Sequence, residues 1–422
     1  MSLLQPLLSS GKDHMKKQLV GFVIAGLLLC SGLTYAFSEK LRGEDFRRAD
    51  PELNTYLDNV LPGRIENPLP PKEEELALFR SLLRNGQPTV AERVAWVLGD
   101  WPGSQNISVL LEATSHRHPE VRAQAASSLG NLAEVAKDGQ RHQSIETLAN
   151  LLGTDDRRVV SAALQALGKL KATAHRNAIG RFAAADDPLL ATAALRALER
   201  IRVRDTFPVI RPQLDSPHTE VSIAAIRALG ALDDPELVPH LRDNLTGSKP
   251  AVRVAAIQEI VDLEARGETP RLEDLLDDPH GYVRREALEA LAALGKGRFA
   301  SHYIEMTADA DHTVRRVAAR KIGRFGLQEG VPHLFRLYGD SHAYVRQDAV
   351  DSMVIIKNDE VSRLCGRGLA HGLGSVRACS SQTLGRLKRD VQLQQHIALL
   401  KDEHLPARRW AGWSLGEIGR EE

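Results

Sequence analysis

The sequence predicts an all-α protein, a solenoid of about eleven helix pairs of 31 residues each. Three observations predict it. An apolar anchor recurs at Val90, Val121, Val159, Leu190, Val221, Val252, Val283, Val314, Val345, Val376 and Ala407, 31 residues apart except for one gap of 38. Four residues past the anchor stands a small side chain (Ala125 through Ala411), and eight past it a large aliphatic one (Leu129 through Leu415), a spacing that sets all three on one helical face. No stretch shows the two-residue alternation of a strand. One helix pair cannot bury its own apolar face. Stacked copies build a continuous core, so the same helix-opening phrase must recur.

Taken in order, residues 1–36 form an N-terminal extension and a signal or anchor. Met15-Lys16-Lys17 is a basic start, Leu19 to Leu29 is uninterruptedly apolar, and Thr34 and Ala36 occupy the small-residue positions of a cleavage site. Residues 1–14 fall outside that pattern, which makes Met15 a candidate start. The apolar zone also extends towards Phe37, so two fates stay open: cleavage after Ala36, or retention as a membrane anchor. Cys30 does not make a lipoprotein signal, because Leu29 stands where a small residue is needed. Either fate predicts export from a bacterial cytoplasm, to the periplasm or to an inner-membrane anchor facing it. Residues 37–72 are a linker stiffened by Pro62, Pro68, Pro70 and Pro71. The array then occupies 73–422, opened by a capping helix at 73–83.

Within each repeat the first helix opens as in "DDPHGYVRREALEALAALG", residues 277–295, where Asp278 is the expected cap and Pro279 suits the first turn. The small side chain at offset four admits the next helix closely. Glycine often follows at offset nine (Gly99, Gly130, Gly168, Gly230, Gly323, Gly385, Gly416), where it is expected to loosen or end the helix. A shorter second helix follows, as in 235–245 and 330–340, with proline tolerated near its start. The longer interval reflects seven residues inserted within the stretch 136–144, expected as a loop, like 246–250.

These phrases resemble HEAT-like repeats, specifically the short class first associated with phycobilin lyases, over residues 88–422. The resemblance implies a right-handed α-solenoid whose second helices line a concave, partner-binding face. It also raises an enzymatic alternative, a lyase-like protein handling a tetrapyrrole, against which stand the export signal and the lack of an evident apolar cofactor pocket. Deoxyhypusine hydroxylase has a similar architecture and holds iron through His-Glu pairs, but no "HE" occurs in this chain. Glycosylases of this architecture need a basic groove. Here 55 basic residues balance 55 acidic ones, which removes long-range attraction to nucleic acid.

Repetition turns any position into a row. The arginines one past the anchor (Arg122, then Arg253, Arg284, Arg315, Arg346, Arg377 and Arg408) read as a structural ladder onto carboxylates or carbonyls of neighbouring repeats, with Asp277, Asp309 and Asp340 as examples. Histidines near three before it (His118, His218, His280, His312, His342, His404) read as loop polarity. Neighbouring rungs stand roughly 8–10 Å apart, too far to share a metal. On the second helices, offset nineteen carries His240, Arg271, His302 and His333, and offset twenty-two carries Asp243, Asp274, Glu305 and Arg336. This mixed strip is the candidate partner-binding site. The aromatics Phe299, Tyr303, Phe325, Phe335, Tyr338 and Tyr344 are expected mainly in the core, and Trp96, Trp101, Trp410 and Trp413 to pack over the ends of the array. Cys365 and Cys379 allow one bridge after export or two free thiols. No catalytic, metal or cofactor motif appears. The sequence therefore predicts an exported, non-enzymatic scaffold or adaptor for a protein partner.

Overall fold

The computed structural model describes residues 73–419 apart from 102, 135 and 390–392. The signal or anchor expected in 1–36 and the linker of 37–72 lie outside the described residues. All regular structure among the described residues is helical, in two compact units, one ending at Val209 and the other starting at Ile210. No helix among the described residues is long and apolar enough to cross a membrane.

The first unit holds α1 (Glu73–Asn85), α2 (Pro88–Asp100), α3 (Asn106–Ala113), α4 (Pro119–Leu132), α5 (Asp138–Leu151), α6 (Arg157–Lys169), α7 (Arg176–Ala183) and α8 (Pro188–Ile201). The first helices α2, α4, α6 and α8 stack in series, and the others pack alongside. The second unit holds α9 (Thr219–Gly230), α10 (Arg242–Thr246), α11 (Pro250–Asp262), α12 (Thr269–Asp274), α13 (Gly281–Gly295), α14 (Ala300–Glu305), α15 (His312–Arg324), α16 (Val331–Arg336), α17 (Ala343–Ile356), α18 (Asp359–Gly368), α19 (Gly374–Arg386), α20 (Leu393–Leu399) and α21 (Leu405–Ile418). Here α9, α11, α13, α15, α17, α19 and α21 form the stack.

The three-position code explains the core. Every residue at offset four, Ala125 through Ala411, is at 0% exposure, Ser380 included. At offset eight, Leu129, Leu167, Leu198, Leu229, Ile260, Leu291, Ile322, Met353 and Leu384 are likewise at 0%. Each such aliphatic side chain contributes about 1.5–3 kcal/mol by leaving water. Most anchors are buried, but Leu190 is only half-buried.

The helix starts differ from expectation. Asp278 does not cap α13. The cap position is His280, three before the anchor, and Asp278 instead accepts its backbone N–H at 2.8 Å. Asp309, Asp340 and Asp402 do the same for Asp311, His342 and His404. A carboxylate two residues before the cap closes an Asx turn, which fixes how the chain enters the helix. The histidine row thus supplies several helix N-cap residues.

Glycine at offset nine is the last residue of α9, at Gly230, but elsewhere the first helix runs one or two residues past it. A Cβ on Gly168 would lie 2.6 Å from Ala197 Cα, one on Gly130 2.9 Å from Ala166 Cα, and one on Gly323 2.7 Å from Ser352 Cα. The glycine therefore lets the next first helix touch backbone to backbone. Termination comes three residues later, in a left-handed residue: Lys171, Arg202, Asp233, Glu264, Lys357 and Lys388 have φ between 41° and 54°, and Gly326 has 63°. At the first of these ends the amides of Lys171 and Ala172 turn back onto the carbonyls of Gly168 and Leu167.

Second helices are short and broken by single 3-10 turns; Pro239 lies inside one such turn, while Pro270 and Pro332 sit in the first turn of α12 and α16. The insertion at 136–144 is not a loop. From Asp138 on it forms the first turns of α5, the longest second helix of its unit. Cys365 and Cys379 are free and buried, so no bridge forms between α18 and α19.

Candidate functional site

The strip chosen from offsets nineteen and twenty-two lies in the second unit. His240 lies in the last turn of a 3-10 helix (Pro235–Leu241) and Asp243 sits in α10, Arg271 and Asp274 in α12, His302 and Glu305 in α14, His333 and Arg336 in α16. All are exposed or half-buried. The structure divides them by what they touch. Arg271 donates from Nη1 to Glu268 Oε2 at 2.9 Å, and Glu268 also receives Arg242 at 2.8 Å although its own side chain is only 3% exposed. Arg242 therefore joins successive second helices through Glu268, and Arg271 holds that carboxylate from its own helix. His302 faces Glu273 at 3.7 Å and packs edge-on against Phe299. His333 Nδ1 accepts from Arg336 Nη2 at 2.6 Å. Burial first, and the Arg336 guanidinium second, hold its imidazole below the ordinary histidine range, so it is neutral at pH 7. Asp243, Asp274 and Glu305 are exposed and form no ion pair with the described residues. These three carboxylates are the part of the strip free to meet a partner.

The arginine row is a ladder. Arg284 grips Asp309 through Nε and Nη2 at 2.8 and 2.7 Å, Arg315 grips Asp340 at 2.7 and 3.0 Å, and Arg377 grips Asp402 at 2.5 and 2.7 Å. Arg253 meets Asp278 at 2.7 Å, not the adjacent Asp277. Each Arg Nη1 also donates to the carbonyl six residues before it, as Arg284 does to Asp278 and Arg315 to Asp309. One aspartate thus serves two repeats, its carboxylate bound by the arginine behind and its carbonyl by its own. The guanidiniums are mostly covered, with side-chain exposures of 7% for Arg253 and 15% for Arg284.

A profile of HEAT repeats matches residues 76–168, 177–260 and 300–371, more than half of the chain. The chain is a HEAT-repeat protein. Solved structures of similar fold include Kap121p, 12% identical over 93% of this chain and 48% of that one, with a TM-score of 0.58. Yeast importin-beta, Kap95p, is 15% identical over 94% of this chain and 62% of that one, with a TM-score of 0.55. At these identities the likeness concerns the fold alone. The chain spans about half the length of Kap121p and less than two thirds of Kap95p. The CpcE–CpcF complex of phycocyanin lyase from Nostoc sp. PCC7120 is 20% identical over 52% of this chain and 91% of that one, but its TM-score of 0.34 carries no argument. Comparison with curated proteins gives no match.

In this HEAT-repeat protein the aromatic set divides as well. Phe299, Tyr303 and Tyr338 are core residues, at 7%, 0% and 0% exposure, whereas Tyr344 is 70% exposed. Trp101 is buried edge-on against Phe79, as expected of end packing. Trp413 is not covered: it stands 41% exposed beside Trp410, in a cleft shared with Arg386 and Arg409. Sequence reasoning missed Glu268 and Glu273, which anchor Arg271 and His302. Glu268 lies one helical turn before Arg271 in the same repeat, whereas Glu273 reaches His302 from the preceding repeat.

Proposed function

We propose that this HEAT-repeat protein is an exported, non-enzymatic scaffold or adaptor that binds a protein partner along the second helices of its second unit. The observation that carries the reading is the regular series of exposed carboxylates Asp243, Asp274 and Glu305, one per repeat, without an ion pair among the described residues. An extended partner touching several repeats adds modest contacts into useful affinity. Repeats of this kind also form the solved complexes of Kap95p with RanGDP and of Kap121p with Pho4p, which supports a protein ligand.

The variant that tests the surface is Asp243→Lys, Asp274→Lys and Glu305→Lys together. Reversing Arg271 would be a poor test, because it would set a carboxylate against the buried Glu268. Exposed, unpaired side chains change stability by about 0.5 kcal/mol or less each. Helix content and melting should therefore stay close to wild type, while partner capture from an envelope extract falls sharply. Undiminished capture by the folded variant sinks the surface. Export rests on Met15 to Ala36, and a reporter active only outside the cytoplasm, fused after residue 60, must become active.

A further inference from the structure

The ladder has a missing rung. Arg346 donates through Nη1 to the carbonyls of Asp340 and Ser341, as every other arginine in the row does to its own turn. The residue 25 positions on, where Arg253, Arg284, Arg315 and Arg377 each find an aspartate, is His371. Arg346 has no carboxylate partner among the described residues, and Nε and Nη2, the atoms that grip aspartate elsewhere, are left over. His371 keeps the other duties of the aspartate: its carbonyl accepts from Arg377 Nη1 at 2.8 Å, and its Nδ1 accepts the Leu373 backbone N–H at 3.1 Å. A backbone amide only donates, so Nδ1 carries no proton and the exposed ring presents Nε2–H as a donor. Two large exposed side chains lie close to these residues in the chain. Leu373 is 54% exposed and Tyr344 70% exposed, the highest exposure among the large apolar and aromatic side chains described. Tyr344 is held from behind by the Arg316 guanidinium, 5.1 Å from the ring centre and itself fixed to Asp348 at 2.7 Å.

We propose that Arg346, His371, Tyr344 and Leu373 form a docking site for an acidic peptide segment of a protein partner, whose carboxylate takes the place of the missing aspartate. The intact rungs define the receptor: a fork held by two carbonyls receives a carboxylate in bidentate fashion, and such charge-assisted pairs are strong and directional. Apolar side chains on either side of the acidic residue would cover Tyr344 and Leu373. Arg122 supplies the contrast. It too lacks a carboxylate in the next repeat, but there the residue equivalent to Tyr344 is Glu120, already paired with Arg158 at 3.1 Å. The docking site lies at the start of the first helices, away from the second-helix strip, and stands or falls without it.

The probe is a fluorescein-labelled peptide with one glutamate flanked by leucines, compared by anisotropy with the same peptide carrying glutamine. The glutamate peptide should bind the wild type at least about tenfold more tightly. Arg346→Ala should abolish that preference and Arg122→Ala should leave it intact. His371→Asp should also abolish it, by supplying the rung internally, and this variant should melt above the wild type, which keeps the test decisive if Arg346→Ala folds poorly. Equal affinity for the two peptides, or unaltered binding by His371→Asp, overturns the proposal. So does Arg346-dependent binding to phosphatidylglycerol vesicles without peptide binding, which would make the occupant a membrane surface.

Discussion

Removing one rung measures what the ladder contributes. Arg315→Ala deletes two bonds to Asp340, at 2.7 and 3.0 Å, and two to the carbonyls of Asp309 and Ala310, at 2.9 and 3.0 Å. It leaves a carboxylate whose side chain is 7% exposed with one remaining donor, the His342 amide at 2.8 Å. Breaking a buried pair costs about 3–5 kcal/mol, and a bond to a charged group about 1.5–3 kcal/mol. Water reaches this edge once the side chain is gone, which places the expected loss at about 2–4 kcal/mol, read by urea unfolding followed by circular dichroism. The pH dependence identifies the cause. Burial opposes ionisation of Asp340, but the Arg315 bonds and the His342 amide outweigh it and hold the carboxyl below the ordinary range. A depressed folded value means that the pair contributes fully above the unfolded carboxylate value of about 3.9 and is lost as pH falls through the folded one. The gap between wild type and variant should therefore be steady from pH 7 to about 5 and close below about 4. Equal stability at pH 7, or a gap that widens on acidification, would refute the ladder as a stabilising device.

Two further outcomes follow from the packing. Gly168→Ala should cost about 1–3 kcal/mol, because its Cβ meets the Ala197 backbone at 2.6 Å, whereas Gly416→Ala, at the same offset with nothing within 4 Å, should be neutral or slightly stabilising in the same melting assay. Burial pushes the thiols of Cys365 and Cys379 up to about 12, so in a Cys30→Ser background a thiol reagent at pH 8 should label the folded protein only after denaturant is added. Rapid labelling of either would contradict the buried positions.

The sequence carried the repeat because burial is periodic: a face that must be apolar every 31 residues writes itself into the chain. The arginine ladder was legible for a related reason, since a row of equivalent charges needs a row of partners. Its register was not. Helical spacing cannot say which of Asp277 and Asp278 turns inward, and the Asx turn onto His280 decides it. The helix ends were hidden because most left-handed residues here are charged, such as Lys171 and Glu264, and only Gly326 bears the usual mark. Glycine at offset nine was visible, but its role depends on how near the next helix comes. The candidate strip was legible as a row, yet Arg271 and the unpaired Asp274 look alike in sequence. Only the buried Glu268 separates a structural cation from a free carboxylate.

The ladder spans fix how far the chain must search as it folds. Arg315 finds Asp340 25 residues ahead, Ser352 finds the Ala319 carbonyl 33 behind, and Asn244 finds that of Leu214 30 behind. These contacts close loops of about one repeat, and the entropy of closure grows only slowly with such lengths. Contact order is therefore low for a chain of 422 residues, the condition under which folding is fast. As the chain is synthesised, each new helix pair meets the one before it within a few tens of residues. Assembly can thus keep pace with elongation, and no half-made array has to wait for a distant partner strand.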